Sequence, residues 1–275
     1  MFYSIDYFAW TIPTEKPFDD GMFFDNQKLV LTIALSSTGL RGDIHENLEN
    51  YTLEKVPKNY QFRLRHKVLD TCYSWGKLNA HVLVEFAGKA CNNLDASDEL
   101  LPIIHAHASR ASRIDFAIDI ECDTPPEEFI ADRTNKSFKS NGHKDSPTGS
   151  TRYIGGRTSE RMARVYRYNP PHPRSRFLRV EAEYKGGAAK ASAKHLSEVG
   201  LLQTCLDAHQ PFGWTHRAWQ PDSSSASKIP YTSYKPADAS TVRWLYDSVA
   251  TAARKAAKKG ILDLDEWIKF IKSEQ

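Results

Sequence analysis

Residues 113–123, RIDFAIDIECD, restrict the fold more than any other stretch of this chain. Ile114, Phe116, Ile118, Ile120 and Cys122 alternate with Arg113, Asp115, Ala117, Asp119, Glu121 and Asp123. A strict period of two predicts a β-strand with one face in a core. The other face is a row of carboxylates, which repel one another unless something positive lies between them. FLRVEAEYK at 177–185 alternates in the same way. It sets Arg179, Glu181, Glu183 and Lys185 against Leu178, Val180, Ala182 and Tyr184.

The remaining elements are read more coarsely. SIDYFAWTIP is a strand ended by Pro13, and residues 26–36 fit a helix or a strand. Residues 60–69 and 80–86 read as strands around a turn near Trp75–Gly76–Lys77. A helix is expected from a Ser97 cap through LLPIIHAHA, and another start at Thr124–Pro125. HAH at 105–107 therefore reads as a helix end, where residues two apart point in different directions, and not as a metal motif. Residues 134–150 read as a loop, with or without an irregular strand. TRYIG, a GRTSER turn and MARVYRYN form a hairpin, and residues 188–209 are helical. The boundaries expected are a main domain at 1–210, a linker at 211–238 and a helical extension at 239–275.

Charge is uneven along the chain. Residues 1–130 hold 12 Lys/Arg against 20 Asp/Glu, residues 131–200 hold 15 against 6, and residues 201–275 hold 10 against 8. So basic a middle section fits a polyanion partner or a well-solvated surface, and composition leaves both open. No apolar run approaches the ~18 residues of a membrane span, and the start lacks the pattern of a signal peptide. Four scattered cysteines without a CxxC pair read as reduced thiols of a cytoplasmic protein.

In strands lying side by side, Glu85 of VLVEF, Asp115 or Asp119, and Glu181 or Glu183 would converge within a few ångströms. Oxygen-only clusters suit Mg²⁺ or Mn²⁺. Arg113, Arg179 and Lys185 on the same faces suit salt bridges instead, and spacing leaves both readings open. In MARVYRYN, Arg164, Tyr166 and Tyr168 share one face. A tyrosine flanked by arginines beside a divalent metal can attack a phosphodiester while the metal polarises a nonbridging oxygen. A half-buried strand tyrosine with no chemistry is the alternative.

The order of these motifs resembles the Rep_trans-type rolling-circle replication initiators, a family related to filamentous-phage replication factors and conjugative-element relaxases. The family pattern RxDxAxD falls on Arg113, Asp115, Ala117 and Asp119. YxGxRxS falls on Tyr153, Gly155, Arg157 and Ser159, RxY on Arg164 and Tyr166, and RVExE on Arg179, Val180, Glu181 and Glu183. The resemblance implies an α+β fold, a central antiparallel sheet with flanking helices and a helical C-terminal extension.

It also implies that Tyr166 cleaves one strand at an origin, keeps a 5′-phosphotyrosyl link and releases a 3′-OH. Mg²⁺ or Mn²⁺ would be held by Asp119, Glu181, Glu85, Asp115 and Glu183. Arg157, Arg164, Arg167, Arg179 and Lys185 would grip DNA. Implied partners are origin DNA, single-stranded or as an extruded hairpin, a host or plasmid helicase and a second copy of the chain, in a bacterial cytoplasm and away from membranes. The alternatives are a conjugative relaxase with the same chemistry and a non-catalytic origin-binding protein. Tyr168 and Pro171 stand where the family commonly has Lys and Glu. That makes Tyr168 a rival nucleophile and leaves Arg167 or Arg157 to replace the missing lysine.

Overall fold

The computed structural model describes residues 1–15, 23–40, 43–56, 59–76, 79–96 and 98–219. Its elements open with β1 (Phe2–Pro13), α1 (Phe23–Thr38), the short α2 (Asp43–Glu46), β2 (Tyr51–Lys55), β3 (Phe62–His66), β4 (Thr71–Trp75) and β5 (His81–Ala87). There follow α3 (Gly88–Ala96), α4 (Leu100–His107), β6 (Ala111–Glu121), α5 (Pro126–Ala131), β7 (Ser140–Ser146) and β8 (Gly149–Ile154). The last are β9 (Arg161–Tyr168), β10 (Phe177–Lys185), α6 (Gly186–Val199) and α7 (Leu201–His209).

All ten described strands join one sheet in the order β2-β3-β4-β5-β1-β6-β10-β9-β8-β7. Every neighbouring pair is antiparallel. The two strict alternators, β6 and β10, lie side by side near its middle. Ile114, Phe116, Ile118, Leu178, Val180 and Ala182 of these strands, with Phe8, Trp10, Phe86 and Val165, are fully buried. This face is covered by α6 on β6 and β10, α7 on β1, β6 and β10, α3 on β1 and β5, and α1 on β1, β4 and β5. The fold is thus α+β, an antiparallel sheet with flanking helices whose second face carries the charged residues.

Several local readings change. Residues 60–87 hold three strands where alternation suggested two, because β4 (TCYSW) is buried on both faces and shows no alternation. Residues 140–146, inside the stretch read as a loop with or without an irregular strand, form the edge strand β7, where a polar sequence meets no core. The 188–209 helix is broken at Gly200, whose φ of +82° suits glycine and caps α6 through a bond to the Leu196 carbonyl. The helix expected from Ser97 starts at Leu100, and Ser97 lies outside the described residues. At its end the ring of His107 stacks on Trp10 and bonds the Ser37 carbonyl at 2.8 Å.

The start of the expected linker is packed. Phe212, Trp214 and His216 are buried, with Trp214 and His216 against Phe129 of α5 at ring distances of 5.3 and 5.5 Å. The rest of that linker, 220–238, and the extension at 239–275 lie outside the described residues. No described helix is long and apolar enough to cross a membrane.

Candidate active site

Residues directly opposite in a sheet share a face, so the strand register locates the charged groups. Arg164 and Tyr166 of β9 face Glu181 and Arg179 of β10. Arg179 faces Asp119 of β6, Glu183 faces Asp115, and Lys185 faces Arg113. Asp115 faces Tyr7 of β1, while Ala9 faces Glu85 of β5. All of them stand on the face opposite the helices.

Tyr166 sits diagonally across from Glu181 and donates its hydroxyl to Oε1 of that carboxylate. Oε2 lies 2.5 Å from Nη2 of Arg164, an ion pair aligned too poorly to count as a hydrogen bond. Glu181 is only 1% exposed, and burial pushes its carboxyl up to about 7, with Arg164 pulling down and Asp6 pushing further up. Burial, and then the Glu181 charge, hold the Tyr166 phenol well above its ordinary value, while Arg179 pulls it down. The phenol is therefore a poor nucleophile unless a neighbour takes its proton, and a carboxylate titrating near neutrality is already bonded to it. Nε of Arg164 is a buried donor without a hydrogen-bond partner among the described residues. Such an orphan costs about 1–3 kcal/mol, relieved when an acceptor arrives.

The five expected metal ligands do not form an oxygen cluster, and among the described residues no three acidic, histidine or cysteine side chains do. Each faces a cation instead. Arg179 holds Asp119 at 2.7 and 3.1 Å and reaches Asp6 at 2.9 Å. Arg113 holds Asp115 at 2.5 and 2.9 Å and Glu183 at 2.7 Å, and Lys185 also pairs with Glu183. Asp115, wholly buried, takes Arg164 as well, at 3.2 Å. Glu85 stands apart because β1 lies between β5 and β6, two strand intervals or about 10 Å. It bonds Tyr7 and Arg63, the latter at 2.7 Å. The donor set as arranged is a ladder of ion pairs and does not fit a divalent-ion cage, for which guanidinium groups would have to leave.

Arg167 also differs from expectation. Successive strand residues point to opposite faces, so its side chain leaves Tyr166 and reaches Asp123 at 3.6 Å and the Ser175 carbonyl at 3.4 Å. Arg157, in the β8–β9 turn, lies 5.3 Å from the Tyr153 ring centre, and its carbonyl accepts from Lys185 at 2.7 Å. The ring of Tyr168 stacks on His172 at 3.9 Å and meets Tyr166 edge-on at 5.6 Å.

Asp6, Tyr7 and Arg63 escaped the sequence reading. Between Ile5 and Tyr7 the β1–β6 register shifts, which leaves Asp6 unpaired and turns both Asp6 and Tyr7 toward the charged face. The signal was present: core residues Ile5, Phe8 and Trp10 are spaced three and then two apart, the trace of a one-residue bulge.

No family model matches this chain, and no curated protein does. Among solved structures, a rolling circle replication initiator protein from Geobacillus stearothermophilus aligns over 83% of this chain and 92% of its own, with a TM-score of 0.53 at 14% identity. At that identity the likeness shows a shared fold, the one the motif order implied. DynU16, a protein of the dynemicin biosynthetic locus, aligns over 74% of this chain and 97% of its own at 10% identity, with a TM-score of 0.23. Nothing follows from so low a score.

Proposed function

We propose that this chain starts rolling-circle DNA replication by nicking one strand of an origin, with Tyr166 as the nucleophile. The observation that carries the reading is the bond from the Tyr166 hydroxyl to Glu181, a buried carboxylate held near neutrality between Arg164 and Asp6. The likeness in fold to a rolling circle replication initiator supports it. Glu181 takes the phenol proton as the Tyr166 oxygen attacks phosphorus. The bond to the 3′ oxygen breaks, that oxygen takes the proton from Glu181 and leaves as the 3′-OH, and the 5′ phosphate stays on Tyr166. The new ester keeps the energy of the broken one, so the strand can be rejoined.

Arg164, through its unpartnered Nε, and Arg179 supply positive charge where the nonbridging oxygens gain negative charge. Arg157 and Lys185, beside the β8–β9 turn, contact the flanking backbone. The substrate is single-stranded or hairpin origin DNA in a bacterial cytoplasm, opened by a separate helicase, with a second copy of the chain as a further partner.

The test uses a supercoiled plasmid carrying this gene with its flanking DNA. Wild type is expected to give nicked circles and an SDS-resistant protein–DNA adduct, and Tyr166→Phe neither. Parallel reactions with Mn²⁺ and with EDTA read any metal requirement. Tight binding without cleavage would replace this reading with that of an origin-binding protein.

A further inference from the structure

The charged face holds a second tyrosine–glutamate–arginine set built like the first. Tyr7 of β1 donates its hydroxyl to one oxygen of Glu85, and Arg63 takes the other at 2.7 Å. Tyr166 donates to one oxygen of Glu181, and Arg164 takes the other at 2.5 Å. The tyrosine–glutamate placement repeats as well, while the arginines differ: Arg164 shares β9 with Tyr166, and Arg63 lies on β3, two strands beyond Glu85. Glu85 pairs across the sheet with Ala9, two residues from Tyr7, and Glu181 pairs with Arg164, two residues from Tyr166. Each phenol is therefore the diagonal neighbour of its carboxylate.

Charged residues connect the two sets. The Arg113 guanidinium lies 4.2 Å above the Tyr7 ring and pairs with Asp115, which pairs in turn with Arg164. From β1 to β9 there are three strand intervals, about 14 Å along the sheet. Both tyrosines are half-buried on the face that carries no described helix, whereas Phe8 beside Tyr7 is wholly buried under the helices. The bulge at Asp6 is what turns Tyr7 to that face.

We infer that Tyr7 is a second nucleophile, which cleaves a second phosphodiester of single-stranded DNA so that one chain both opens and rejoins strands. The inference rests on the Tyr166 reading above. After Tyr166 has formed its ester, the Tyr7 oxygen attacks another phosphodiester. A Tyr7–phosphorus bond forms, the bond to the 3′ oxygen breaks, and the phenol proton passes through Glu85 to that oxygen. The freed 3′-OH attacks the phosphorus held by Tyr166. An O3′–phosphorus bond forms, the Tyr166 ester breaks, and the hydroxyl proton returns to Tyr166. Each step exchanges one ester for another and consumes no cofactor.

The experiment uses the full chain and a single-stranded circle carrying two direct repeats of the DNA that flanks this gene. Two cleavages and the joining release one smaller circle, and attack of the first 3′-OH on the phosphorus held by Tyr7 closes the second and frees Tyr7. In wild type, adducts trimmed with nuclease and mapped by mass spectrometry should carry nucleotide on both the Tyr166 and the Tyr7 peptide. Tyr7→Phe should lower smaller circles relative to singly cut strands at least tenfold. An unmodified Tyr7 peptide, or a Tyr7→Phe chain that makes smaller circles as wild type does, overturns the second site and leaves Tyr166 standing. Absence of any adduct in wild type overturns the Tyr166 reading itself. The peptide map on wild type decides the matter even where Tyr7→Phe folds poorly.

Discussion

The Tyr166 hydroxyl and the Glu181 carboxylate share a hydrogen bond across the β9–β10 pair, and Arg164 neutralises the oxygen that Tyr166 leaves free. Three side chains on two adjacent strands thus have their geometry set by sheet register, which is stiffer than any loop. A phenol, its proton acceptor and a countercharge are in place before any DNA arrives.

Replacing the acceptor should separate chemistry from binding. Glu181→Gln keeps the shape of the side chain but removes the base, so adduct formation is expected to fall by about 10²–10⁴. DNA affinity, read by gel shift, should change only a few-fold. An equal loss in both measurements would make Glu181 a binding residue.

Glu181 also predicts opposite pH trends for rate and stability. Its carboxyl is raised from an ordinary 4.5 to about 7 in the folded chain. Between those values the folded state holds more proton than the unfolded one, so stability falls as pH rises through this window. The loss is of order 3 kcal/mol, complete above pH 7 and absent below pH 4.5. The nicking rate should rise over the same range as the base ionises. Urea unfolding at pH 5 and pH 8, with Glu181→Gln as reference, measures the first trend, and a pH–rate profile measures the second.

Tyr168 is expected to be dispensable for the chemistry. Its ring stacks on His172, and among the described residues no acidic partner meets its hydroxyl as Glu181 meets that of Tyr166. Tyr168→Phe should form adduct within about threefold of wild type, the ring and its stacking being kept. A loss as complete as that of Tyr166→Phe would move the nucleophile two residues along β9.

Divalent-metal binding should be weak in the free protein, because Arg179 occupies both Asp6 and Asp119. Arg179→Met uncovers the two carboxylates. It is expected to tighten Mn²⁺ at least tenfold by calorimetric titration and to cost roughly 3 kcal/mol of stability without metal. Unchanged Mn²⁺ affinity would mean that the guanidinium does not compete for this position.

Gly149 supports the strand pairing that holds β9. A Cβ there would lie 2.3 Å from the Arg167 carbonyl oxygen, closer than backbone can tolerate. Gly149→Ala should destabilise the chain by about 1–3 kcal/mol, seen as a lowered unfolding temperature. It should also slow adduct formation, since β8 and β9 must move apart beside Tyr166.

The two strict alternators were legible because each has one face in the core, and the structure sets them side by side. β4 was not, since it is buried on both faces, and β7 was legible only as one of two readings, since it lies at an edge. For the site, the face shared by Arg164 and Tyr166 could be read from spacing, and so could that of Glu181 and Glu183. Arg167 could have been excluded by the same rule, being one residue from Tyr166. Tyr7 was hidden by a bulge whose only trace is the irregular interval between Ile5 and Phe8.

The sequence by itself determined which residues share a face, because side chains in a strand alternate with a period of two wherever the strand lies. It also determined that carboxylates and guanidinium groups would be interleaved on the polar face. Only the tertiary structure decided which strand lies beside which, and with it which charge meets which. Placing β1 between β5 and β6 separated Glu85 from the other acids and gave it Tyr7, while the β6–β10 register set Arg179 against Asp119. Strand order and register depend on contacts between residues far apart in the chain, and no local pattern encodes those.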